Sequence, residues 1–452
     1  MNILIISFHD DNFGDNLIKI CFKNLLKVVL NNLKIKKYVL NEMPLKSIDK
    51  SLIENSDMIF FAGGGLFGLS YLDFFDYLDE IIKIADNKNI PVIFSSIGIN
   101  NMSATNSKET RLKKLLEKKC IKAISVRENI ELFKSYTQDT KLKVFQVCDP
   151  GVWSKYVYNV KKNKNSDYVG INVVRGGLFQ DNNKNWKLKD EMNYLNNLKV
   201  LLDKNNINYK FYTNGSILDN NSLKFYAKNN KISNDLLFMP HTTRELVEGI
   251  CNFNFIVSFR MHSSIIAYSL EIPSVNIIWN DKIPLFYENI NRKELALPLE
   301  NLDEHKILDY ILNIKGEKVN TDYLMTLYDY LFNTLSKMLK IKNEKYVFDD
   351  VVKYLKKLSV GVDEDLLDYK IKAEKAQNLY LARFSEVKKL EKNYKEEIRI
   401  NNELKEEIKK LKSENDLLLK SNYHLKDIVE SQKKDLQNYT SDKIVNFIKK
   451  SE

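Results

Sequence analysis

The chain is predicted to fold as an α/β protein: two doubly wound, Rossmann-like domains followed by a long C-terminal coiled-coil helix. Three observations predict this. Short β-branched runs alternate with amphipathic stretches over residues 2–150, a second such series runs from Tyr168 to about Lys315, and one heptad register extends from Leu366 to Leu436. Strand–helix alternation implies parallel sheets with helices on both faces. A sustained seven-residue repeat keeps one apolar seam facing a partner helix.

In the first series the strand candidates are 2–8, 57–62, 91–97, 121–126 and 143–148, with helices expected over 15–31, 71–87 and 107–118. Asp149-Pro150-Gly151 stops the pattern, and the Lys/Asn-rich stretch 158–167 reads as a linker. The second series has strand candidates 168–174, 210–213, 236–239, 255–259 and 274–278. The domains are therefore expected at 1–157 and 168–318, with a helical packing segment over 319–361 and the coiled coil over 362–452. Two such domains place ligands in a cleft between them, at the carboxyl ends of the strands.

No proline follows Pro298, and Gly361 is expected to separate the packing segment from the tail. In the tail the a positions are Leu366, Ala373, Tyr380, Val387, Tyr394, Asn401, Ile408, Asn415, Asn422, Val429 and Leu436. The d positions include Tyr369, Ala376, Leu390, Leu404, Leu411, Leu418 and Leu425, with Arg383, Glu397 and Gln432 as polar exceptions. Leu at d with recurrent Asn at a favours a parallel homodimer, because paired Asn side chains satisfy each other across the seam. At 1.5 Å per residue the rod reaches about 105 Å.

With 452 residues, 44% of them apolar, the chain can bury two or three domain cores. No stretch approaches the roughly 18 consecutive apolar residues of a membrane span. The apolar start is short, lacks a basic flank and runs into His9-Asp10-Asp11, as a first strand does and a secretion signal does not. Four scattered cysteines (Cys21, Cys120, Cys148, Cys251) show no CxxC pair and fit a reduced, cytoplasmic setting. The net charge is +10, and residues 362–452 hold 20 basic against 19 acidic residues, so the surplus sits in the body (50 against 41). Such a body suits anionic substrates or peripheral contact with the inner face of a membrane, or reflects lysine-rich background. The dispersed charge and the lack of a reader motif argue against nucleic acid.

Asn12-Phe13-Gly14-Asp15-Asn16 lies between the first strand and first helix, where Gly14 can take a positive φ and Asp15 or Asn16 can cap. Gly63-Gly64-Gly65-Leu66-Phe67-Gly68 follows another strand and can expose backbone amides to a ligand, although it is neither a dinucleotide fingerprint nor a phosphate loop. A tight turn beside the neighbouring domain explains it equally well. Ser258-Phe259-Arg260-Met261-His262-Ser263-Ser264 ends an apolar strand and opens a helix. An imidazole there can move a proton, and an arginine can hold a carboxylate or phosphate. His241, after the preceding strand, is expected near His262 on the same sheet edge, and Arg175 ends the strand 168–174. Arginine is scarce, with eight in the chain, which draws attention to those at strand ends, where planar bidentate donors serve anions.

In this order, these residues resemble the polysaccharide pyruvyl transferase family over about residues 1–315. The resemblance rests on Asn12-Phe13-Gly14-Asp15-Asn16, Gly63-Gly64-Gly65, Ser95-Ser96-Ile97-Gly98-Ile99, Ser125-Val126-Arg127-Glu128 and Cys148-Asp149-Pro150. It rests most on Phe259-Arg260-Met261-His262 followed by Leu270-Glu271-Ile272-Pro273-Ser274-Val275, with Met261 where the family usually has Leu. The resemblance implies a two-domain GT-B-like fold and transfer of a pyruvyl group from phosphoenolpyruvate to a sugar or lipid-linked glycan, forming a ketal. It implies His262 as the acid, His241 as a second proton carrier or phosphate ligand, and Arg260, Arg175 and Ser263 on the donor. Asn12, Gly14, Asp15, Gly63, Gly64, Gly65 and Arg127 fall on the acceptor side. Phosphoenolpyruvate enters as co-substrate, and neither a further cofactor nor a metal is called for. The alternatives are a glycosyltransferase using a nucleotide sugar and a non-catalytic glycan-binding scaffold organised by the coiled coil.

Overall fold

The apolar runs of the first series form a six-stranded parallel sheet in the order β2-β1-β3-β4-β5-β6, with β1 Asn2–Ser7, β2 Val39–Pro44, β3 Met58–Ala62, β4 Val92–Ile97, β5 Ile121–Val126 and β6 Val144–Gln146. These assignments come from a computed structural model, which describes residues 1–8, 12–67, 72–99, 106–182, 184–358 and 362–451. Strands β3 and β4 are buried along their whole length, as a parallel sheet covered on both faces requires. Strand β2 was not expected from the sequence. It is an edge strand reading Val-Leu-Asn-Glu-Met-Pro and mostly half-exposed, so it needs little apolar content.

The second series forms another six-stranded parallel sheet, β12-β11-β10-β7-β8-β9, from β7 Val169–Asn172, β8 Tyr209–Tyr212, β9 Leu237–Phe238, β10 Phe255–Ser258, β11 Ser274–Ile278 and β12 Ala296–Pro298. The unexpected β12 is three residues long and ends in proline, which an edge strand tolerates. The stretch read as a linker is tied to the second domain, where the Asn163 N–H donates to the Cys251 carbonyl at 2.9 Å.

Helix Phe13–Asn32 is buried on nearly every side, and one apolar core runs from its face of the first sheet through the second domain. A helix this apolar all round belongs at a junction. Helices Thr321–Leu339 and Phe348–Leu355 follow the second sheet but pack on the first domain. The Tyr330 hydroxyl donates to the Phe94 carbonyl at 2.8 Å, and the Trp153 indole N–H donates to the Leu324 carbonyl at 3.2 Å.

The chain divides into two units, Met1–Lys375 and Ala376–Glu452. The last helix spans Val362–Ser451, and in it Leu411, Leu418, Leu425 and Leu436 are each more than half exposed. Gly361, Gly68 and Tyr71 lie outside the described residues. No helix among the described residues is long and apolar enough to cross a membrane. The four cysteines are free thiols, all buried.

Candidate functional site

Strand β10 runs through Phe259 and Arg260 into helix Met261–Ser269. The turn is held locally: the Ser258 hydroxyl donates to the Arg260 carbonyl at 2.8 Å and accepts the Arg260 N–H at 3.0 Å. Asn276 on β11 donates to the same carbonyl at 3.1 Å. This fixes Arg260 and His262 at one helix N-terminus, from which they meet different partners, Asp219 and Asp149.

His262 enters the seam between the domains. It is 8% exposed, its Nε2 makes no hydrogen bond among the described residues, and Asp149 Oδ2 stands 3.9 Å from that nitrogen. Gly14, in the first turn of helix Phe13–Asn32, packs on the ring: a β-carbon there would lie 2.5 Å from His262 Nδ1. Burial pushes the imidazole down to about 4, with Asp149 pulling upward while Arg127, Lys282 and Arg260 add to the depression.

Asp149 belongs to a buried ion-pair set from the ends of β4, β5 and β6. Arg127 donates through Nη1 to Asp149 Oδ2 at 2.5 Å and through Nε to Glu128 Oε2 at 2.8 Å. Burial opposes the Arg127 charge, yet Glu128 and Asp149 together hold it above its ordinary range. Burial raises Glu128, with Arg127 and Lys282 pulling it down. Glu128 also accepts the Ile99 N–H at 3.1 Å, and Gly98 fits beneath the pair because a β-carbon would come within 2.5 Å of Arg127 Nη2. Ser96 precedes this point at φ +55, where β4 and β5 slip register. Its N–H donates to Ser125 Oγ at 2.9 Å and its hydroxyl to the Cys148 carbonyl at 2.8 Å, which holds the unfavourable backbone in place.

The second domain supplies one more cation. Helix Lys282–Asn289 docks on the first domain, with Asn289 donating to the Arg127 carbonyl at 2.9 Å. This brings the half-buried Lys282 into the field of Arg127, Glu128, Asp15 and Asp149. Burial, then Arg127, bring its amine down to about 8. The seam thus gathers Asp15, Arg127, Glu128, Asp149, His262 and Lys282 from both domains.

Arg260 and Arg175 form a neighbouring set. Arg260 donates to the fully buried Asp219 through Nε at 3.0 Å and Nη2 at 2.6 Å, while the Arg175 N–H donates to Asp219 Oδ1 at 2.8 Å. The Arg175 guanidinium pairs with Asp181.

Two expectations change. His241 does not lie near His262: it follows the edge strand β9, and β8 and β7 separate that strand from β10, about 14 Å at normal strand spacing. It is exposed, with its N–H donating to Glu245. Ser263 is fully buried, and its hydroxyl donates to Asn214 at 2.6 Å, whose backbone carbonyl accepts the Phe13 N–H of the first domain, so the side chain is committed to bracing the protein interior. Of the residues expected on the acceptor side, Arg127 shares the ion-pair set beside His262, Asn12 caps its helix by accepting the Gly14 N–H at 3.1 Å, and Asp15 is half-buried. Gly63 and Gly64 adopt φ +64 and +78 with Ile18 and Phe8 packed where β-carbons would stand. Their conformation and packing require glycine whatever else the turn does. Gly65 is half-buried beside them.

Sequence reasoning missed Lys282, Glu191 and Asp219. Lys282 is one lysine among many in a polar turn, and the two acids sit within helices that carry no motif. Glu128 and Asp149 lay inside quoted motifs, and their pairing with Arg127 was the available signal.

Comparison with known proteins follows the same residues. Residues 3–281 match the model of the polysaccharide pyruvyl transferase family. No curated protein matches the chain. Among solved structures, an uncharacterized Klebsiella pneumoniae protein is 17% identical, with a TM-score of 0.37 over 66% of this chain and 92% of its own. A putative UDP-N-acetylglucosamine 2-epimerase from Listeria monocytogenes is 7% identical, with a TM-score of 0.49 over 76% and 99%. The ADP-heptose lps heptosyltransferase II of E. coli is 12% identical, with a TM-score of 0.34 over 75% and 99%. Likenesses at these scores carry no functional meaning. The family match spans more than half of the chain, including every motif that builds the seam except Lys282, and the chain belongs to the polysaccharide pyruvyl transferase family.

Proposed function

We propose that this protein moves a pyruvyl group from phosphoenolpyruvate to two hydroxyls of a sugar in a cell-surface glycan or its precursor, leaving a cyclic ketal and releasing phosphate. The observation that carries this reading is His262, a buried imidazole with an unpartnered Nε2 among cations from both domains. Phosphoenolpyruvate bears a carboxylate and a phosphate, and Arg127, Lys282 and Arg260 all act on the imidazole, with Arg175 held beside Arg260 through Asp219. Without ligand, His262 is neutral at pH 7. A multiply anionic donor offsets the field of those cations, so His262 takes up a proton as the donor binds.

The proton then passes from His262 to the methylene carbon, which becomes a methyl group, and positive charge develops at the central carbon. A sugar hydroxyl oxygen bonds to that carbon and returns its proton to the imidazole. A second hydroxyl displaces the phosphate oxygen from the same carbon, and its proton leaves with the phosphate. One donor and one diol give one ketal and one hydrogen phosphate. Asn12, Gly14, Asp15 and the Gly63–Gly65 turn border the acceptor. His262 has the proton role and the arginines the anion role; His241 takes no part in the step.

The test incubates purified protein with phosphoenolpyruvate and candidate glycans and follows free phosphate and product mass. Pyruvylated product with stoichiometric phosphate supports the reading. Thermal stabilisation by a uridine or guanosine diphosphate sugar, with none by phosphoenolpyruvate, replaces it with a glycosyl transfer.

The reading extends to the last helix, which pairs with a second copy of the chain in parallel. Its seam positions Leu404, Ile408, Leu411, Leu418, Leu425 and Val429 are all exposed in the single chain. Lys405, Lys412, Lys426 and Lys433 occupy e positions, and Glu407, Glu414 and Asp435 occupy g positions. A parallel, in-register pair sets Glu407 against Lys412 of the second copy and Asn401, Asn415 and Asn422 each against itself. An antiparallel pair sets lysine against lysine, acid against acid and Asn against Leu.

A further inference from the structure

Asp219 is fully buried in helix Ile217–Asn229, with no motif of its own in the sequence. Its two oxygens serve the two arginines read as donor ligands. Oδ2 accepts Arg260 Nε–H at 3.0 Å, while Oδ1 accepts both Arg260 Nη2–H at 2.6 Å and the Arg175 backbone N–H at 2.8 Å. One carboxylate therefore sets the plane of the Arg260 guanidinium and anchors the loop that carries Arg175. The same loop is held again at the next residue, where the Gly176 N–H donates to Ser222 Oγ at 3.0 Å, also on helix Ile217–Asn229.

The pairing uses a defined part of the guanidinium. Asp219 takes the Nε–Nη2 edge, so the carboxylate fixes both the plane and the direction of the guanidinium. Beside Asp219 lies Glu191, 1% exposed on helix Leu188–Lys204. Burial and the Asp219 charge push Glu191 up to about 8 against the pull of Arg260, so at neutral pH it is mainly the uncharged acid.

We propose that Asp219 is the positioning residue of the donor site: it touches no substrate and holds Arg260 and the Arg175 loop in one geometry. This rests on the reading of the site as one for phosphoenolpyruvate, and a double-mutant cycle on the full-length protein separates the two. Phosphoenolpyruvate affinity is measured by thermal-shift titration for wild type, Asp219→Asn, Arg260→Ala and the double variant, with turnover followed for Asp219→Asn.

The expected result is that Asp219→Asn weakens phosphoenolpyruvate binding about tenfold on the native background and less than about twofold when Arg260 is already alanine, since coupled residues are non-additive. At saturating donor, Asp219→Asn keeps turnover within about threefold of wild type, because no transition-state contact is lost. An unchanged affinity in Asp219→Asn, or an equal loss on both backgrounds, overturns the proposal while leaving the donor reading intact. A wild-type protein that phosphoenolpyruvate does not stabilise removes the donor reading itself. If Asp219→Asn fails to fold, Asp219→Glu tests the same point: a carboxylate one methylene longer keeps the charge and displaces Arg260. Native affinity in that variant contradicts a positioning role.

Discussion

Gly14 and His262 come from different domains and are in contact, with no room for a methyl group between them: a β-carbon on Gly14 would sit 2.5 Å from Nδ1 and 2.7 Å from Cγ of the imidazole. The first turn of the first domain is thus the wall against which the histidine of the second is set. A glycine is needed there for clearance, and its packing sets the imidazole, whose Nε2 makes no hydrogen bond among the described residues.

Gly14→Ala is accordingly expected to displace the ring or part the seam. Overpacking of this kind costs about 1–3 kcal/mol, so the protein stays folded. Transfer falls by about a hundredfold, because a misplacement near 1 Å is enough for that loss. Paired melting curves and initial rates check it. A variant with native turnover would show that the ring does not depend on this wall.

The depressed His262 makes a signed prediction for stability. Folded, it titrates at about 4; unfolded, near 6.5. Between those values the unfolded chain binds the extra proton, so the contribution is complete above about pH 6.5 and is lost as pH falls toward 4, by at most about 1.4 kcal/mol per unit. Urea unfolding at pH 7 and pH 5 should show a smaller acid loss for His262→Gln than for wild type. Equal losses would mean that the imidazole is not held neutral.

Among the described residues, Arg127 is the only cation directly ion-paired to Glu128 and Asp149, all three about 5% exposed or less. Arg127→Met leaves two buried carboxylates unpaired, and stability should drop by about 3–5 kcal/mol. Adding Glu128→Gln should recover part of the loss. Calorimetry of the single and double variants decides; an additive further loss would show that the carboxylates are not compensated by this arginine.

The last helix predicts association. Sedimentation of the full chain should give a dimer, and Leu411→Lys with Leu418→Lys, which place charge at two seam positions, should give a monomer of unchanged transfer activity per chain. A monomeric wild-type chain removes the pairing.

The sheets were legible in the sequence wherever burial demanded apolar runs. Val92–Ile97 is buried throughout and Ile121–Val126 everywhere but Lys122, and both announce themselves, whereas Val39–Pro44 is a polar edge and Ala296–Pro298 is too short to show a pattern. The docking of Thr321–Leu339 on the first domain was not legible, because an amphipathic face does not name what covers it. At the site, Arg260 and His262 stood out as polar residues ending an apolar strand. Strand order was hidden, which is why His241 was expected beside His262 although two strands intervene. Lys282 and Asp219 were invisible for a simpler reason: their importance comes from residues more than 40 positions away that only the fold brings to them.

The account turns on His262 as the group that protonates the donor, and the transfer rate from phosphoenolpyruvate by His262→Ala tests this most directly. A loss of at least about two orders of magnitude, with the melting temperature preserved, is the predicted result. Turnover near the wild-type rate would contradict it.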